Sequence, residues 1–304
     1  MREIVVISGK GGTGKTSLTA AFAALGESAV VCDLDVDAAD LHLLLSPRND
    51  RTQQFISGHE AVIDPDACTG CGVCIEMCRF DAIRPIHQDG AGLAIDPRRC
   101  EGCKVCVAFC PASAVGFPDK HCGEWYVGDT RFGTLVHARL NPGGENSGRL
   151  VSLLKKEARA IAARDGLSFI LCDGAPGIGC PVISSLSGAD LAVVVTEPTP
   201  SGQHDLERVL ELCRHFRTRA CVIVNKCDLN PRAAQEIVSR CQAGGHEVVA
   251  SLPHDEIVFE AMLRGRAVTE MADSPFTATL RRAWKRIIML SEMDREAHVP
   301  AMNQ

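Results

Sequence analysis

The sequence predicts an α/β fold: a doubly wound, mostly parallel sheet with a smaller α+β unit inserted into it. Three observations predict it. Short apolar, β-branched runs alternate with helix-forming stretches on both sides of the middle of the 304-residue chain. A G-x-x-x-x-G-K-[ST] pattern, filled by Gly9, Gly14, Lys15 and Thr16, joins the first such run to the first helix-forming stretch. Between the two ends lie two copies of one cysteine-rich segment at a constant offset of 32 residues.

The first run, residues 4–7, is apolar and β-branched and reads as a buried strand; residues 16–25 are rich in Ala and Leu and read as a helix. That context is what a phosphate-binding loop needs. Glycines let successive amide groups turn inward around phosphate oxygens, and a helix N-terminus adds positive potential. Lys15 is then placed for the β- and γ-phosphates and the Thr16 hydroxyl for Mg²⁺. Residues 29–32 read as the second strand, with Asp33, Asp35 and Asp37 at its C-terminal end, where open α/β sheets bind ligands. Alternate spacing in an extended segment places the three on one side. Residues 46–60 lose periodicity and read as a linker.

The cysteine segments follow. Cys68, Cys71, Cys74 and Cys78 form C-x2-C-x2-C-x3-C; Cys100, Cys103, Cys106 and Cys110 repeat it, with Pro111 after the last. The repeat is wider than the cysteines, since IDPDACTGCGVC matches IDPRRCEGCKVC. These spacings belong to iron–sulfur ligation rather than to paired C-x2-C zinc sites. Arg79 follows the first run where the second has proline, which predicts a more exposed or shifted site there.

Residues 124–127 read as a strand re-entering the main sheet, Pro142, Gly143 and Gly144 as a loop, and residues 150–163 as a helix capped by Asn146 or Ser147. Residues 168–172 read as a strand ending at Asp173, with a mobile loop over residues 174–177. Strands over residues 191–197, 221–224 and 247–252 alternate with helices over 203–216, 256–264 and 275–289. In the last helix Leu280, Trp284, Ile287 and Ile288 form a core stripe.

Composition narrows the partners. A net charge of −6 and 4% aromatic residues argue against nucleic acid. No apolar run approaches a membrane span, and Met1 leads directly into a strand, so a cytoplasmic protein without a membrane partner is expected. Sixteen cysteines in such a protein point to metal or cluster ligation rather than disulfides.

The motifs KGGTGKT, DLDVDAADLH, DGAPGIGCP and NKCD together resemble the MinD/ParA/Mrp superfamily of P-loop ATPases with a deviant phosphate loop, and the paired cysteine runs resemble a two-cluster bacterial ferredoxin. The chain is thus similar to superfamily ATPases containing an inserted ferredoxin domain, with residues 1–60 and 119–304 as the ATPase and 61–118 as the insert. The resemblance implies that Gly9, Lys10, Gly11, Gly12, Thr13, Gly14, Lys15, Thr16 and Ser17 surround the nucleotide. It implies that Asn225, Lys226, Asp228 and Pro253 lie at the base, ATP being preferred and GTP the alternative. Mg²⁺ falls to Thr16, Asp33 and Asp35, with Asp173 acting through water, and Asp35 positions the attacking water. Lys10 crosses a dimer interface to the partner's nucleotide, so Lys10, Lys15, Asp35 and Asp173 form the catalytic set.

The ferredoxin pattern implies one [4Fe–4S] cluster on Cys68, Cys71, Cys74 and Cys110 and another on Cys100, Cys103, Cys106 and Cys78. Cys180, seven residues after Asp173, matches one thiolate of an intersubunit cluster in nitrogenase iron protein; packing is the other reading. The expected function is ATP binding and hydrolysis, with dimer closure coupled to electron transfer or to iron–sulfur or metal-cofactor handling. The dimer would be a homodimer or a pair with a close paralogue, and a redox or cofactor-accepting protein its partner. The alternative is a MinD/ParA-like positioning ATPase with redox-sensing clusters.

Overall fold

The computed structural model describes residues 1–26, 29–86, 92–144 and 146–293. In chain order the elements begin β1 (Arg2–Ser8), α1 (Lys15–Leu25), β2 (Ala29–Asp33), α2 (Leu41–Leu45), β3 (Arg48–His59), β4 (Val62–Ile63), α3 (Val73–Met77), β5 (Ile83–Pro85), β6 (Leu93–Ile95), α4 (Val105–Ala108) and β7 (Val115–Gly116). They continue β8 (Asp119–Thr130), β9 (Gly133–Leu140), α5 (Ser147–Arg164), β10 (Phe169–Pro176), α6 (Cys180–Leu186), β11 (Leu191–Thr196), α7 (Pro200–His215), β12 (Arg219–Val224), α8 (Pro231–Ala243), β13 (Glu247–Ser251), α9 (Glu256–Leu263) and α10 (Pro275–Glu292). Two compact units emerge. One comprises Met1–Gln53, Trp125–Arg139 and Ser147–Gln304; the other comprises Gln54–Glu124 and Leu140–Asn146. The second unit therefore reaches beyond the expected insert of residues 61–118.

The first unit is built on the expected parallel sheet. Strand order is β13-β12-β11-β1-β10-β2-β9-β8-β3, and neighbours from β13 to β9 run parallel. The central strands β1, β2, β10 and β11 are buried almost throughout, as a parallel sheet covered on both faces requires. Register aligns Val6 with Asp173 and Asp173 with Asp33, so two carboxylates meet at the C-terminal ends of adjacent strands. On one face α1 packs against α10, where the Phe22 and Trp284 rings stack at 5.2 Å. Three helices start alike. Thr199, Asn230 and Ser274 each accept an amide hydrogen bond as N-cap, and proline follows at the first helical position.

The linker expected over residues 46–60 is instead mostly strand β3, at the edge of the sheet order. Its polar sequence leaves most side chains exposed, with only Phe55 and Ser57 buried, so no clean alternation marks it. The loop expected from residue 174 is also partly strand, since β10 continues to Pro176. The expected helix over residues 150–163 starts earlier, at Ser147.

The second unit is two copies of one motif. Ile63 of β4 pairs with Val115 of β7, and Ile83 of β5 pairs with Ile95 of β6, both antiparallel. The 32-residue offset relates the two pairs crosswise, Ile63 corresponding to Ile95 and Ile83 to Val115, and α3 and α4 begin at matching positions, Val73 and Val105. Gly70 and Gly102 both adopt left-handed backbone, and so do Gly72 and its counterpart Lys104 at φ 66°. Among the described residues one hydrophobic cluster of this unit has Cys74, Ile83 and Leu93 buried, with Ile63, Ile75 and Ile95 packed against them.

Candidate functional site

Gly14 sets the phosphate loop. It caps α1 in left-handed backbone at φ 89°, and a Cβ there would lie 2.5 Å from Asn225 Nδ2. Asn225 sits so close because its Nδ2 donates to the Thr13 carbonyl at 2.8 Å, while Lys226 Nζ donates to the Gly12 carbonyl at 3.0 Å. The turn after β12 thus braces the loop after β1, an arrangement that follows from the strand order.

Lys15 is 6% exposed at the start of α1. Its Nζ donates to Asp173 Oδ1 at 3.0 Å and to Asp35 Oδ2 at 3.4 Å. Thr16 Oγ1 donates to Asp173 Oδ2 at 2.7 Å, and Thr19 Oγ1 donates to Asp173 Oδ1 at 3.0 Å. Burial disfavours the Lys15 charge, but Asp173, Asp35 and Asp33 outweigh it and hold the ammonium above its usual pKa. Burial pushes the Asp35 carboxyl up, against the pull of Lys15. Asp33 is fully buried; burial and the neighbouring Asp173 push its carboxyl well up, while its oxygens accept the amides of Asp35 at 3.1 Å and Leu41 at 3.2 Å. Asp33 therefore shapes the segment after β2 and does not line the cavity.

That cavity holds about 1690 Å³, part of it open to solvent. Residues 11–17, Asp35, Asp37, Asn225, Lys226 and Pro253 line it, and Val258, Phe259 and Met262 of α9 form an apolar wall. Gly9, Lys10 and Asp228 stand outside the lining. Gly9 packs against Asp205, and Asp228 Oδ1 accepts the His254 amide at 2.6 Å, holding the turn after Pro253. Lys10 Nζ lies 2.5 Å from Glu197 Oε1 in its own chain. The Thr13 hydroxyl is buried at the cavity with no hydrogen-bond partner, and the surrounding carboxylates outnumber Lys15. An unpartnered hydroxyl beside a glycine-rich loop at a helix start suits a nucleotide phosphate, and the excess negative charge suits an accompanying divalent cation.

The eight expected cysteines fall into two sets. Cys68, Cys71, Cys74 and Cys110 line one hollow of about 320 Å³ and Cys78, Cys100, Cys103 and Cys106 another of about 350 Å³, both partly open to solvent. The remaining lining is mainly apolar, Leu93, Val73 and Pro111 in the first and Phe80, Ile83 and Ile95 in the second, with Glu101 and Lys104 also at the second. The Ala114 amide lies 3.3 Å from Cys110 Sγ. Among the described residues no three His, Cys, Asp or Glu side chains converge on one ion-sized position. Cys180 is exposed at the first position of α6.

Residues 4–268 match the family described as the CobQ/CobB/MinD/ParA nucleotide binding domain. The chain belongs to this family. An uncharacterised protein of Methanocaldococcus jannaschii is 34% identical over 236 residues, 75% of this chain and 79% of its own length. Among solved structures, the septum site-determining protein MinD of Pyrococcus horikoshii, complexed with Mg-ADP, superposes with a TM-score of 0.57 at 18% identity, covering 96% of this chain and 97% of that one. The MinC:MinD cell division complex of Aquifex aeolicus gives 0.56 at 18% identity, covering 100% of this chain and 99% of that one. Similarity at this identity establishes the MinD-like fold. Together the likenesses show the nucleotide-binding family and the fold. Among the described residues no helix is long and apolar enough to cross a membrane.

Two residues of this family member escaped the sequence reading. Thr19 lies one turn beyond Lys15 on α1, so helical spacing could have placed its hydroxyl on the Lys15 face, where it meets Asp173. Glu197 follows β11 directly and contacts Lys10 and Lys226; its position at a strand end was the only signal.

Proposed function

We propose that the chain is an ATP-driven switch of the MinD/ParA kind, an ATPase whose dimer closes on nucleotide, and that its cysteine unit holds two [4Fe–4S] clusters through which the switch senses redox state. The observation that carries the ATPase reading is the contact set of a family member in which Lys15 bonds Asp35 and the buried Asp173, Thr16 bonds Asp173, and Lys15, Thr16 and Asp35 line the cavity. In this reading the loop amides and Lys15 bind the β- and γ-phosphates. Phosphate would take over part of the Lys15 ion pair, and Thr16, by turning its hydroxyl away from Asp173, would be free to hold Mg²⁺ with Asp173 acting through water. Mg²⁺, when bound, supplies charge neutralisation on the phosphates. Asp35 orients the attacking water; its burial-raised pKa keeps it a better proton acceptor than an exposed carboxylate.

The cluster reading is supported by the sorting of eight thiols into two sets of four, each mixing three cysteines of one repeat with the fourth of the other. In a cubane each thiolate binds its own iron, so thiols that ring a cavity without converging on one point suit a cluster better than a single ion. The same sorting keeps electron delivery to a protein partner as the second reading. Anaerobic protein assayed for Mg²⁺-ATP hydrolysis, with dithionite-reduced and oxidised samples compared, tests both. Hydrolysis that responds to reduction supports the switch. Absence of ATP hydrolysis in either state sinks it, and ATP-dependent reduction of an added acceptor favours the second reading.

A further inference from the structure

The ammonium group of Lys10 has three N–H donors, and the structure accounts for all of them. Glu197 Oε1 lies 2.5 Å away, and Thr199 Oγ1 and Ser201 Oγ each accept at 3.2 Å. Any contact between Lys10 and a phosphate, in its own subunit or another, must therefore break this set. The second Glu197 oxygen, Oε2, lies 3.3 Å from Lys226 Nζ, which also donates to the Gly12 carbonyl. Glu197 thus keeps a cationic partner when Lys10 leaves, and Thr199 keeps its role as cap of α7 through the Gly202 amide. One arrangement can be exchanged for the other without stranding a half-buried carboxylate. Burial opposes ionisation of Glu197, and hydrogen bonds from Lys10 and Lys226 outweigh it, so its carboxyl stays below the usual range.

We propose that Glu197 is a latch: it stores Lys10 against its own subunit, braces the phosphate loop through Lys226, and makes nucleotide-dependent dimer closure wait on the release of Lys10. This rests on the reading of an ATP-closed dimer in which Lys10 serves the partner's phosphate. Glu197 is a positioning residue, acting through Lys10.

The test is a double-mutant cycle read as the dimer dissociation constant. It uses full-length, anaerobically purified protein, Mg²⁺ and a non-hydrolysable ATP analogue, in the analytical ultracentrifuge, with analogue affinity measured in parallel. Glu197→Gln, which keeps shape and removes charge, is expected to tighten the dimer about fivefold, the scale of a partly exposed ion pair. Glu197→Asp should return towards the parent, and Ser201→Ala should shift in the same direction by a smaller factor. In a Lys10→Ala background, Glu197→Gln should change nothing, because the stored residue is gone. An unchanged or weaker dimer for Glu197→Gln, with analogue affinity retained, overturns the latch. So does an equal gain in the Lys10→Ala background, which would place the effect at Lys226. A parent chain that binds the analogue yet stays monomeric overturns the dimer reading and the latch with it. A Glu197→Gln chain that loses analogue binding shows a structural brace instead, and also overturns it.

Discussion

At the phosphate loop the chain supplies its own partners: Lys15 lies between Asp173 and Asp35, Thr16 and Thr19 donate to Asp173, and Asn225 and Lys226 hold the loop's carbonyls. Around the cysteine cavities the reverse holds. Eight thiols face mainly apolar space, and one hydrophobic cluster of the unit has Cys74, Ile83 and Leu93 buried. A unit of that size buries little apolar surface, and small domains of this kind depend on metal or disulfide staples. The contrast teaches that one site is preformed by side-chain bonds on a large sheet, whereas the other, on the proposed cluster reading, is a shell whose stability would come from the clusters it holds.

The comparison breaks most sharply at Lys15. Lys15→Ala should lower ATP affinity by at least about a hundredfold, since it removes the main phosphate charge, and leave the iron content unchanged; equilibrium binding and iron analysis on one sample check both. A smaller effect follows from Asp35→Asn, which keeps shape and loses charge. Nucleotide affinity should hold while turnover falls by about a hundredfold, within the range for a positioned acid–base group. Parent-level turnover would show that the segment after β2 does not orient the water.

The least consequence for binding or turnover is expected from a pH effect on stability confined to the nucleotide unit. His137 is 6% exposed, stacks on His42 and Tyr126, and hydrogen-bonds Asn49. Burial, helped by His42, pushes its pKa down to about 4. A histidine with a depressed folded pKa favours the neutral form, so its contribution is complete above the unfolded value of 6.5 and is lost as pH falls towards 4. The loss is at most about 3 kcal/mol. Urea titrations of the parent should weaken over that window, and His137→Phe, which keeps the ring stack, should flatten the dependence.

Sequence and structure agree where one local signal dominates. The phosphate loop was legible because glycine geometry, a buried strand and a helix start coincide at residues 9–16. The repeat was legible because the offset constrains two copies at once, and the strand pairings then obey it. Strand β3 was not, because an edge strand with polar side chains on both faces carries no period-two signal. Helix α8 had a readable start, Asn230 followed by Pro231, that hydrophobic periodicity alone passed over. Glu197 was beyond reach for a different reason: its partners lie 187 residues before it and 29 after, joined only by strand order.

Hydrogen exchange resolved by unit, before and after anaerobic iron chelation, tests the contrast most directly. The account predicts about eight iron atoms per chain before chelation, from two cubane clusters. Removing them should strip protection from residues 61–118 while β1, β10 and β11 stay protected and ATP still binds. An iron-free chain whose cysteine unit keeps full protection would contradict it, and so would a nucleotide unit that unfolds along with the cysteine unit.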